Sequence, residues 1–248
     1  MPLSAVIISL NAASQIGACL DSVAFCDEIL VVDSGSTDGT VALATSRGAR
    51  VVTQDWLGYG RQKQYAVARA GNDWVMCLDA DERVSEQLRQ SIENELRAPR
   101  AQAYAMPRCN RFLGRWLKHG EGYPDWSLRL FHRESARWSD DPIHEKVLTD
   151  CPVVRLQGDL LHDSAETLEL YLAKQNRYTT LQAEQMHVQG RSAGVVTLLV
   201  SPLARFWKFY FFRLGFLDGL PGLIHICIGA MNSFNKYAKL VALRKLAR

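Results

Sequence analysis

Four short runs of this sequence are apolar almost throughout: "SAVIISL" (4–10), "EILVVD" (28–33), "ARVVTQ" (49–54) and "DWVMCLDAD" (73–81). A strand with one wet face alternates apolar and polar residues. Runs without that alternation are strands buried on both faces, as in a parallel sheet covered by helices on each side. Between them lie "SQIGACLDSVAF", "TDGTVALATSRG" and "GRQKQYAVARAG", all with helix-like spacing. Gly48 and Gly71 stand where helix C-caps belong. The first eighty residues therefore predict a βαβαβαβ array, the start of a doubly wound α/β sheet.

The pattern changes after residue 100. "SLRLFHR" and "ARWSD" read as short strands set among turns, a mixed or antiparallel extension of the sheet. A long amphipathic helix is predicted over 164–186, with Leu168, Leu172, Tyr178 and Leu181 among its apolar positions. From Ser201 onward the chain carries eight bases and the single acid Asp218, a formal +7 in a protein whose net charge is only +3. The expected division is an α/β domain over 1–200 and a basic, aromatic helical tail over 201–248. None of the six cysteines forms a CxxC pair, so neither zinc nor a redox motif is indicated. The start "MPLSAVIISLN" lacks the basic region of a signal peptide, and a reducing cytoplasmic setting is expected.

In open α/β sheets, ligands bind beyond the carboxyl ends of the strands. Asp33 ends the second strand there, and Asp79 and Asp81 end the fourth. Asp79 and Asp81 lie on one side of an extended segment, where two carboxylates repel unless a cation separates them. Mg²⁺ or Mn²⁺ fits, since hard ions prefer carboxylates and bridge to substrate phosphates. Asp33 is placed to accept hydrogen bonds from a base or ribose, and the small residues Ser34 to Thr37 let a ligand approach the backbone. Each motif also has a plainer reading: a solvated acidic turn, or a helix N-cap at Ser36 or Thr37. Their joint appearance on strand ends of one array is what makes them specific.

"SAVIISLN", "EILVVDSGSTDGT" and "DWVMCLDADERV" together resemble family 2 glycosyltransferases of the GT-A fold. "GYPDWSLRLFHR", "IHEKV" and "RFWKFYFFRLGFLDGLPG" resemble the branch that transfers glucose β-1,4 to heptose of the lipopolysaccharide inner core. The resemblance implies a nucleotide sugar such as UDP-glucose as donor and a lipopolysaccharide core acceptor. It implies that Asp33 holds the base or ribose, that Asp81 is the main metal ligand, and that Asp79 lies close to ribose and metal. Ser9 and Asn11 would line the nucleotide pocket. Lys63 stands where relatives carry Arg and would touch the diphosphate; otherwise it is a solvated helix lysine. Ala12 departs from the acid that many relatives place there. His144 is a further metal ligand or a structural histidine. Glu145 and Asp125 are the candidate bases for an inverting single displacement.

"LARFWKFYFFRLGFL" (203–217) carries seven aromatics with Arg205, Lys208 and Arg213 among them, which suits a helix lying in the interface of an anionic membrane. The apolar stretch 214–231 is interrupted by Asp218, Pro221 and His225 and falls short of a clean span. The expected location is the cytoplasmic face of the inner membrane. The alternative is helices packed on the domain or on a second subunit. Nucleic acid is not expected, because no recognition motif accompanies the bases. Two rival functions are a sugar nucleotidyltransferase, which needs a basic Gly-rich loop where this chain has "NAASQIG", and a non-catalytic membrane adaptor that has kept the fold. A different lipid-linked or glycan acceptor is the nearer alternative.

Overall fold

The computed structural model describes residues 1–141, 145–164 and 167–246. In chain order its elements are β1 (Leu3–Ser9), α1 (Ile16–Ser22), β2 (Glu28–Asp33), α2 (Thr40–Ser46), β3 (Arg50–Thr53), α3 (Tyr59–Arg69), β4 (Trp74–Asp79), β5 (Glu82–Val84) and α4 (Glu86–Arg97). There follow β6 (Ala103–Phe112), β7 (Arg115–Trp116), β8 (Asp125–His132), β9 (Ala136–Trp138), β10 (Val147–Thr149), β11 (Val153–Arg155) and β12 (Leu160–His162). The chain ends in α5 (Leu168–Val188), α6 (Val195–Trp207) and α7 (Gly219–Leu246). These elements form two compact units. The first comprises Met1–Arg108 and Asp125–His162, the second Cys109–Pro124 and Asp163–Arg248.

In the first unit the strand order is β3-β2-β1-β4-β8-β6-β12-β5. β1 to β4 are mutually parallel, and β8 and β6 continue the sheet antiparallel. The apolar runs are strands for the reason their composition suggests: every residue of β1 is buried. Ala5, Ile7, Val31, Met76 and Leu78 pack on one face with α1, α2 and α4, through Ile16, Leu20, Ala44, Leu88 and Ile92. Their neighbours Val6, Ile8, Leu30, Val32, Val75 and Cys77 pack on the other face with Ala66 and Val67 of α3. The α/β expectation and the mixed extension are both met. Helix α4, an amphipathic element capped by Ser85, is an addition to the predicted elements.

Several local expectations are corrected. Gly48 does cap α2 in the left-handed region (φ 81°). Gly71 does not; its backbone N donates to Glu28 Oε2, and a Cβ there would stand 3.2 Å from that oxygen. Gly71 thus serves a close contact with the Glu28 carboxylate and not a helix cap. Neither Ser36 nor Thr37 caps α2, which begins at Thr40 after Gly39, with Asp38 accepting from the Thr40 amide.

In the second unit, α5 and α6 pack against α7. Phe112, Leu117 and Ile228 form one small core with Tyr171 and Ile224. Ala183, Met186 and Leu240 form another. The face of α5 that is buried differs from the predicted one: Thr179, Ala183 and Met186 are covered, whereas Leu168, Leu172 and Tyr178 are exposed. Residue 200 lies inside α6, so no break in secondary structure marks it. The aromatic segment is not one straight helix. The α-helical turns end at Trp207, a wider π-type turn covers Lys208–Phe212, Leu214 is left-handed, and a 3₁₀ turn covers Gly215–Asp218. Val195–Phe212 is long and apolar enough to cross a membrane by length and composition, and none of that stretch is buried. Within it, however, Arg205 pairs with Glu121 and Ser201 Oγ lies 2.7 Å from Ser233 Oγ of α7.

Candidate active site

The register of the parallel strands assembles the site. Ser9 pairs with Asp33, and Ile8 with Asp79, so the carboxyl ends of β2, β1 and β4 finish at one level. The chain runs from β1 to β2 on one side and returns to β4 on the other, which makes the gap beyond β1 and β4 the topological switch point. A cleft of about 640 Å³ opens there, lined by Ile8 to Ala12, Gln15, Trp56, Tyr59, Asp79 to Asp81 and His162. That volume suits a ligand of nucleotide size. Trp56 and Tyr59 meet edge to face at 4.8 Å and are about half exposed. They offer apolar ring surface to a planar group.

Asp33 does not offer a free carboxylate. It is 1 % exposed. Its Oδ1 accepts from the amides of Gly35 (3.0 Å) and Ser36 (2.7 Å), and its Oδ2 from the hydroxyls of Ser9 (2.8 Å) and Ser36. The opposite wall is tied in the same way: Asn11, left-handed at φ 49°, accepts from the Thr37 amide at 2.9 Å and donates its own amide to Ser36 Oγ at 2.8 Å. The structure thus gives Asp33 the task of fixing the Ser34–Thr37 turn against β1. Asn11 and Ser9 line the cleft itself.

Asp79 and Asp81, expected as a pair around one cation, have different partners. Asp79 Oδ1 lies 3.0 Å from Lys63 Nζ, and its Oδ2 lies 3.2 Å from Arg129. Burial works to raise the Asp79 pKa, but the Lys63 and Arg129 charges outweigh it and hold the carboxyl well below the usual carboxylate range. Lys63 is 3 % exposed and reaches Glu145 Oε1 at 3.1 Å, so it is neither a solvated helix lysine nor a free hand for a diphosphate. Arg129 in turn binds Glu82 (2.9 Å), which also receives Arg108 (2.8 Å) and the Asp79 amide (3.0 Å). Three bases and three acids form one network of zero formal charge. Trp138 floors it, with Lys63 Nζ 4.8 Å and the Arg129 guanidinium 5.4 Å from its ring, and its indole N–H donates to Cys77 Sγ. Burial keeps Cys77 a thiol, its pKa pushed up to about 11 against the lowering pull of the Trp138 indole N–H and the Arg129 and Lys63 charges.

Among the described residues Asp81 has no such ammonium or guanidinium partner. Its Oδ2 is 3.1 Å from His162 Nε2, and among the described residues its buried Oδ1 has no hydrogen-bond donor. An orphaned carboxylate oxygen beside an imidazole nitrogen suits a divalent ion that accepts both donors, Mn²⁺ more readily than Mg²⁺. Among the described residues no group of three or more His, Cys, Asp or Glu forms a ready cage. An ion here would complete its shell from substrate phosphates and water. His144, the further metal ligand or structural histidine expected from the sequence, lies outside the described residues. In the sequence His162 ends an unremarked apolar triplet, and only its pairing with β5 brings it to Asp81.

The two candidate bases are separated by the structure. Glu145 joins the network through Lys63. Asp125 is an exposed residue at the start of β8, opposite Arg108 and four residues from Arg129 along the strand. Neither lines the cleft directly. Arg129, Glu82, Trp138 and His162 are site residues that the sequence reading did not single out.

The sequence profile of Glycosyl transferase family 2 matches residues 4–152. The lipopolysaccharide core biosynthesis glycosyltransferase LpsC of Rhizobium meliloti is 32% identical, over 97% of this chain and 92% of its own. An uncharacterized glycosyltransferase of Rickettsia bellii is 31% identical, over 96% and 85%. Among solved structures, glucosyl-3-phosphoglycerate synthase of Mycobacterium tuberculosis, in complex with Mn²⁺, UDP and glucosyl-3-phosphoglycerate, overlays 44% of each chain at 26% identity and a TM-score of 0.38, too partial to bear on the site. With its mixed sheet of GT-A type, its cleft at the switch point and family likeness running through nearly the whole sequence, the chain belongs to glycosyl transferase family 2.

Proposed function

We propose that this enzyme is an inverting hexosyltransferase that moves glucose from UDP-glucose to a heptose of the lipopolysaccharide inner core, at the cytoplasmic face of the inner membrane. The observation that carries the donor half is the one cleft lined by Asp81 and His162 together with Asn11, Trp56 and Tyr59. The acid–imidazole pair suits a metal-bound diphosphate and the two rings suit a base. The acceptor half is supported by the likeness to LpsC. The catalytic domain is taken as residues 1–200 and the membrane-facing tail as 201–248.

In this reading Trp56 and Tyr59 hold the nucleobase, and Ser9 and Asn11 line the approach to the ribose. Asp33 acts indirectly, by fixing the turn. Asp81 and His162 hold the divalent cation, which when bound supplies neutralisation of charge on the diphosphate leaving group. Lys63 and Arg129 keep Asp79 ionised and fixed, and Lys63 orients Glu145. Glu145 removes the proton from the acceptor hydroxyl as its oxygen attacks the anomeric carbon. Attack opposite the leaving diphosphate turns an α-linked donor into a β-linked product.

The test is a panel of nucleotide sugars, each incubated with heptose-containing core acceptor and scored by nucleotide release and product mass. The expected result is turnover with UDP-glucose, dependent on acceptor and abolished by excess EDTA. Turnover undiminished in EDTA overturns the metal assignment. Transfer of another sugar, or to a glycan without heptose, overturns the substrate assignment.

A further inference from the structure

Among the described residues three non-glycine residues have left-handed backbones, and two of them are leucines. Asn11 is of a type that tolerates this conformation; leucine is not, because its Cβ crowds the following carbonyl. Leu113 (φ 47°) forms, with Gly114, the two-residue loop of the β6–β7 hairpin, between the paired Phe112 and Arg115. Such loops favour Asn-Gly. Leu214 (φ 55°) forms the corner between the π-type turn and the 3₁₀ turn, again followed by glycine. Neither leucine is placed there by the core: they are 48% and 46% exposed. Folding alone would be better served by Asn or Gly at both positions.

The two corners are stitched together within the second unit. Arg115 donates to the Leu217 carbonyl at 2.9 Å, the Gly120 amide to the Arg213 carbonyl at 2.8 Å, and Arg213 to the Tyr123 carbonyl at 2.9 Å. Around them Phe212, Phe216, Leu217 and Leu220 are exposed as well. Within segments 109–124 and 203–220 the exposed charges include Arg115, Lys208 and Arg213. The two acids of segments 109–124 and 203–220 are turned inward, Glu121 onto Arg205 and the buried Asp218 onto His119.

We propose that Leu113 and Leu214 are the points at which this unit inserts into an anionic bilayer, held in strained turns so that both side chains project from a basic rim. The proposal rests on the membrane reading above and names the surface that serves it. The charge points to the occupant: outward bases on segments whose own acids are turned inward fit lipid phosphates, and exposed leucines fit the acyl layer beneath them.

The test is the Leu113→Asn/Leu214→Asn double variant of the full chain, since Asn accepts the left-handed backbone and removes the apolar side chain. Binding is measured by sedimentation with vesicles of phosphatidylcholine and phosphatidylglycerol, and with phosphatidylcholine alone. Wild type should bind the anionic vesicles in a salt-sensitive way. The double variant should bind roughly 10- to 100-fold more weakly, from two half-buried leucine side chains. Its urea midpoint should be equal to or above that of the wild type. Equal binding by wild type and variant overturns the proposal alone. A lowered urea midpoint also overturns it, because the leucines then serve folding. Failure of the wild type to bind either vesicle overturns the membrane reading with it. A wild-type dimer that the variant dissolves shows the occupant to be a second copy of the chain.

Discussion

Lys63→Met tests whether the buried network, rather than a metal, balances Asp79. The substitution keeps the length of the side chain over Trp138 and removes one charge, taking the network from zero to −1. The contacts to Asp79 and Glu145, at 3.0 and 3.1 Å, are each worth about 5 kcal/mol at an effective dielectric constant near 20. Desolvating the ammonium offsets several kcal/mol of that. The loss is further limited because Arg129 still stands 3.2 Å from Asp79, and because Glu145, a fifth exposed, can be hydrated. The expected net cost is about 3 kcal/mol, at the lower end of what breaking a buried ion pair costs. The assay is urea unfolding followed by circular dichroism at two pH values. The folded pKa of Asp79 is depressed, so its stabilisation is complete above the unfolded carboxylate value of about 3.9 and is lost as pH falls through the folded value. The gap between wild type and Lys63→Met should therefore be full at neutral pH and shrink in acid below about pH 4. A gap under about 0.5 kcal/mol at neutral pH, or one that is unchanged in acid, would refute the network argument.

Three further outcomes are expected. Glu145→Gln should lower turnover by roughly 10²–10⁴-fold with little change in UDP affinity by calorimetry, while Asp125→Asn stays active; the reverse pattern moves the base to Asp125. Asp81→Asn, and separately His162→Ala, should abolish the Mn²⁺-dependent part of UDP binding by calorimetry, and full Mn²⁺-dependent binding in either variant removes that residue from the metal site. Gly60→Ala places a Cβ 2.1 Å from the Ser139 carbonyl oxygen and 3.3 Å from Glu145 Cβ, so it should destabilise by about 1–3 kcal/mol and lower turnover by shifting the Glu145 segment, with an intact urea midpoint as the contrary result.

What the sequence made legible was local or periodic. The unbroken apolar runs of β1, β2 and β4 announced a sheet covered on both faces, and Asp79 and Asp81 followed from their place at a strand end. Partner choice was not legible. Nothing adjacent to Asp79 shows that Lys63, sixteen residues earlier, and Arg129, fifty residues later, will neutralise it; only the antiparallel return of β8 beside β4 does so. Glu82 and Trp138 read as ordinary strand residues for the same reason. His162 lies eighty-one residues from Asp81 and meets it through the β12–β5 pairing. Helix α5 was misread for a different cause. Apolar spacing records which residues favour burial, but α7 covers the Thr179–Ala183 side and leaves Leu168 and Leu172 outside.

The small core of Phe112, Leu117, Ile224 and Ile228 bears on the order in which the protein is made. Its two halves are separated by roughly 110 residues, so on a ribosome adding about 5–20 residues per second the hairpin side waits roughly 5–20 s for its partner. During that interval the remaining strands of the first unit, β8 to β12, leave the tunnel one after another, while the 109–124 excursion shows water an uncovered Phe and Leu. The catalytic half is thus born before the half that sequesters its own protruding hairpin. A nascent chain stalled before Ile224 emerges would carry a sticky loop, and a chaperone that holds exposed aromatic segments would find it there.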